Sequence, residues 1–81
     1  MGLDVRFKHE IQAGLVGAVV FVVRCAQRQG GDVMFLSGAL ALAEHRALVE
    51  GLDWKNMLSE ARISLGAGTE QLLDAALQIE A

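Results

Sequence analysis

Residues Ala13–Val23 read AGLVGAVVFVV, eleven consecutive positions without a polar side chain in a chain of 81. Such a run must be a membrane span, a buried strand, a core helix or a surface meant for another chain. Val19–Val23 has the β-branched and aromatic make-up of a buried strand. No second strand candidate exists to pair with it, and an unpaired strand leaves its backbone polar groups unsatisfied. Phe7, Ile11, Leu15, Ala18 and Val22 recur at helical spacing through the run, which predicts a helix. As a membrane span the run is short. The uncharged stretch Ile11–Val23 is closed by Glu10 and Arg24, whereas a spanning helix needs about 20 residues. A second apolar run, Val33–Ala43, is shorter still, so a holin-like membrane hairpin ranks below the soluble readings.

Glycines divide the rest of the chain. Gly30-Gly31, Gly51 and Gly66-Ala67-Gly68 each follow a periodic apolar segment, where a helix C-terminus favours a residue tolerant of left-handed backbone. Each is followed by a candidate N-cap: Asp32, Asp53 and Thr69. Leu52 and Met57 flank the Asp53 boundary at the spacing of a hydrophobic staple. The reading is a single all-α domain, residues 1–81, with helices over about 4–29, 33–50, 54–65 and 70–80. In the third helix Trp54, Met57, Leu58, Ala61 and Leu65 form one stripe, with Ile63 opposite it. In the fourth, Leu72, Leu73, Ala76 and Ile79 are expected to face inward.

The first helix is then about 39 Å long, roughly twice its shorter neighbours, and apolar all round at its centre. The chain is 53% apolar but only 5% aromatic, so an Ala/Leu/Val core must provide most of the stability, and small chains of this kind often add burial by oligomerising. A homodimer is therefore expected, with Gly14, Gly17, Ala18, Val19, Val20 and Val23 at the contact. The small residues permit close approach of two helix backbones.

Chemistry is sparse. His9-Glu10 opens like the zinc motif H-E-x-x-H, but Ala13 stands where the second histidine belongs. Glu44-His45 lacks the E-x-x-H spacing of bundle metal sites. The single Cys25 cannot form an internal disulfide, which fits a reducing compartment. It lies near Arg24 and Arg28, and a structural role outweighs a reactive one. No phosphate-binding glycine motif is present. The expectation is no enzyme, no metal and no cofactor. No secretory signal is visible at the start, so a cytoplasmic protein is expected.

Net charge is −3, poorly suited to nucleic acid. The turn between helices 2 and 3 spaces Ala47 and Gly51 as in a helix-turn-helix. However, Arg46, Glu50 and Glu60 fall where apolar residues belong, and helix 3 offers only Lys55, Asn56 and Arg62 for contacts. A dimeric DNA-binding regulator using helices 2 and 3 is thus the runner-up. The leading expectation is a non-catalytic protein-interaction module, a small adaptor or an inhibitor of phage or plasmid type that binds a host protein. Trp54, Ile63 and Phe7 are the candidate partner contacts.

Overall fold

A computed structural model describes residues 2–80, with side chains for residues 7–79. Four helices follow one another: α1 Gly2–Arg28, α2 Val33–Val49, α3 Trp54–Ser64 and α4 Ala67–Glu80. No strand occurs among the described residues. The Val19–Val23 run is helical throughout, since helix satisfies its backbone without a partner strand.

The first two boundaries form by the expected chemistry. Asp32 accepts a hydrogen bond from the Phe35 amide and Asp53 accepts one from the Asn56 amide, each stabilising a helix start. At the end of α2, Gly51 adopts φ +73°, and the Leu52 amide reaches back to the Ala47 carbonyl at 2.8 Å. Gly30 and Gly31 close α1 in the same way, with the Gly31 amide 2.8 Å from the Ala26 carbonyl. These are Schellman closures, which require a left-handed residue.

The third boundary differs from the expectation. α3 ends with Leu65 in an extended conformation, and α4 starts at Ala67, three residues before the expected Glu70. Thr69 is therefore not a cap. It lies in the first turn of α4, where its hydroxyl donates to the side-chain oxygen of Gln27 at 3.0 Å. Gly68 is tolerated there because first-turn amides need no intrahelical partner.

α2 packs against α4 and α1, and α1 packs against α3. Val19, Val23, Ala26, Leu36, Leu40, Ala61, Leu65, Leu73 and Ala76 form the centre of the core. Met57 and Ala61 are buried on α3, with Trp54 and Leu58 partly buried against the core, matching the predicted stripe. On α4, Leu72, Leu73 and Ala76 face inward, but Ile79 is largely exposed and Leu77 packs on the core instead.

The molecule measures 44 × 22 × 17 Å with a radius of gyration of 12.8 Å, against about 11.7 Å for a typical domain of this length. Its accessible surface is 5239 Å², whereas a monomer of 8.7 kDa is expected to expose about 4,700 Å². The long first helix accounts for the elongation. At about 40 Å, it exceeds the reach of the 11-residue α3 and 14-residue α4.

Candidate functional site

α1 buries only one side. Val16, Val19, Val20, Val23 and Ala26 face the chain's own core. Val19, Val20 and Val23 had been expected at a subunit contact; at 9% exposure or less, they hold the monomer together instead. Gly14, Gly17 and Ala18 lie exposed on the other side of the helix.

That side follows a second periodicity. Phe7, Ile11, Gly14, Ala18, Phe21 and Cys25 are separated by steps of 4, 3, 4, 3 and 4, the spacing of a coiled-coil seam. Phe7 and Phe21 are each 63% exposed. No side chain of the bundle approaches Gly14 or Gly17: a methyl group added at either would meet nothing within 4 Å. A glycine inside a helix costs roughly 1 kcal/mol relative to alanine, and here the fold gains no close approach in return.

α2 carries a matching ridge at the same 4-3 spacing: Phe35, Ala39, Leu42, Arg46 and Val49. Leu42 is 74% exposed, and Phe35 and Val49 are also exposed. Between the ridges runs a groove of about 270 Å³, walled by Leu15, Ala18 and Val22 on one side and Ala39, Leu42 and Ala43 on the other. Arg46 sits at the groove's edge and pairs with Glu50 at 3.3 Å. Of the residues whose spacing predicted the helix, Leu15, Ala18 and Val22 wall this groove, and Val22 also packs against the core. The α2 ridge is absent from the sequence reading, which assigned a helix over 33–50 without choosing its exposed face. Its 4-3 spacing was the available signal.

The partner-contact candidates separate. Ile63 is 87% exposed on α3, opposite the buried stripe. Trp54 is half-buried and packs against the core, so it anchors α3. Phe7 belongs to the α1 seam. No group of three or more His, Cys, Asp or Glu residues is placed to hold a metal ion among the described residues. Cys25 is half-buried, with the Arg28 guanidinium 4.0 Å from its sulfur. On α3, Arg62 is engaged by Glu70 and Asp74 of α4, which neutralises one of the two cations that a recognition helix would present.

The structure also lengthens the apolar segment. Phe7–Arg28 is 22 residues long and apolar enough to cross a membrane by length and composition, and only 28% of its apolar stretch is buried. The shorter span read from the sequence, Ile11–Val23, is only the uncharged part of this segment. The chain matches no protein-family model, no curated protein and no solved structure.

Proposed function

We propose that this is a protein-interaction module that works by binding rather than by catalysis, with the α1–α2 face as its working surface. The observation that carries the reading is this face itself: two exposed ridges at 4-3 spacing, apolar except for Arg46, flanking an open and mostly apolar groove. Exposed apolar side chains gathered beside a groove mark a contact site, and an apolar groove between two helices suits a helix as the bound element. Ile63, alone on the polar side of α3, is a separate candidate contact for a different protein.

The test uses paired baits. Leu42→Lys places a charge in the groove wall at an exposed position, so the fold should survive, as circular dichroism can verify. An untagged copy of the chain, or a host protein, that the wild-type bait retains should be lost on the Leu42→Lys bait. Identical retention by both would overturn the reading.

A second reading rests on the length and apolarity of Phe7–Arg28. Here α1 lies in or across a lipid bilayer, and the ridges meet acyl chains. It predicts flotation with lipid vesicles in the absence of any protein partner. The protein reading is preferred because Glu10 and Arg24 lie within that segment and leave only the uncharged run Ile11–Val23 for the hydrocarbon core, where a span needs about 20 residues.

A further inference from the structure

The α1 seam has a register that completes itself. We propose that the occupant of the face is a second copy of this chain, with its α1 lying antiparallel to the first. This rests on the reading of the α1–α2 face as a protein contact and specifies what covers it.

In an antiparallel helix pair, the two classes of seam position face each other. Here one class is Phe7, Gly14 and Phe21, and the other is Ile11, Ala18 and Cys25. One two-fold register aligns all six. Phe7 lies over Cys25 of the second copy, Phe21 over Ile11, and Gly14 over Ala18. Each phenylalanine meets a smaller side chain, and the two-fold axis passes between layers made only of Gly and Ala. The helices can therefore approach most closely where Gly14 and Gly17 leave open space. The chain's own bundle has no other use for these two glycines.

The flanking charges agree. Glu10 and Arg24 lie on the same edge of the seam, and the antiparallel register brings Glu10 beside Arg24 of the second copy, twice by symmetry. Arg24 donates one hydrogen bond to the Ser64 carbonyl at 3.0 Å, and its guanidinium has donors to spare for a carboxylate. A parallel pair would stack phenylalanine on phenylalanine beside empty glycine layers and set Glu10 against Leu15, with no cation. On the other edge, the α2 ridge stands ready to flank the partner's α1, giving a four-helix contact of two α1–α2 hairpins. The surface beyond that of a typical monomer, about 500 Å² per chain, is of the order that a modest dimer would bury.

Engineered disulfide capture tests the register. Within one helix, residues 7 and 25 are about 27 Å apart, so they cannot bridge inside a chain. Under oxidised glutathione, Phe7→Cys should give a covalent dimer whose peptide map joins residue 7 to Cys25, while the wild-type chain stays uncrosslinked. Bridges joining residue 7 to residue 7, or Cys25 to Cys25, would establish a parallel pair and overturn the proposal. The second measurement is sedimentation of Phe21→Lys, a change at an exposed position, which should weaken association by at least about 30-fold. A wild-type chain that sediments as a monomer, or that associates only with vesicles, also overturns the proposal. A monomer whose Leu42→Lys variant still loses host proteins would leave the broader interaction reading standing.

Discussion

Gly14→Ala and Gly17→Ala should have opposite effects on folding and on association. Each position is in the interior of α1, and a Cβ built there meets no atom within 4 Å. In the isolated subunit the added methyl group therefore clashes with nothing, and alanine stabilises the helix by about 1 kcal/mol at each site. Both changes together should add about 2 kcal/mol, equivalent to a rise in Tm of roughly 8–16 °C for a domain of this size. The measurement needs a monomeric background, provided by Phe21→Lys, and a urea or thermal melt. In the otherwise unchanged chain, the same methyl groups enter the closest layer of the helix pair, and overpacking should weaken association about tenfold. A drop in monomer stability would refute the reasoning, because it would mean that something within the subunit packs against these glycines. Unchanged or tighter association would remove the glycines from the contact.

The other expectations concern the fold. Asp53→Ala should cost about 1 kcal/mol because it removes a working N-cap. Thr69→Ala should be close to neutral, since Thr69 is inside α4 and loses only an exposed hydrogen bond to Gln27; equal costs in thermal melts would contradict the α4 boundary. Leu73→Ala empties a fully buried site and should cost 2–5 kcal/mol, on the order seen for core leucines, by chemical denaturation; a loss below about 1 kcal/mol would exclude Leu73 from the core. Arg62→Ala removes the links to Glu70 and Asp74. Solvent-screened pairs of this kind contribute about 1 kcal/mol or less, and the difference from wild type should shrink in 1 M salt, where screening is stronger.

Where residues contrasted sharply with their neighbours, the fold was legible in the sequence. Asp32 and Asp53 followed glycines and preceded periodic segments, and both cap helices. The α3 stripe was readable because, Ile63 apart, the other positions of the helix are polar or charged. α1 offered no such contrast. From Ile11 to Val23 nearly every residue is apolar, so two helical stripes were equally available, and only packing against α2 and α3 selects Val19–Val20–Val23 for the core. The α4 start was missed because Gly66 and Gly68 read as breakers. Gly66 in fact supplies the carbonyl that accepts the Glu70 amide at 3.0 Å, and Gly68 sits in the one turn where its weakness costs least. Of the candidate site, the small residues Gly14, Gly17 and Ala18 were visible in advance. The 4-3 spacing of the α2 ridge lies within one segment, but the α1–α2 groove depends on two helices being adjacent, which no single segment encodes.

Sedimentation equilibrium of the detergent-free wild-type chain, beside Phe21→Lys, is the most direct test of the idea that the α1–α2 face is covered by a second copy. The account predicts a wild-type species at twice the 8.7 kDa subunit mass and a folded Phe21→Lys species at the single mass. A wild-type chain that remains at 8.7 kDa across the accessible concentrations, with helicity and cooperative melting intact, would contradict it.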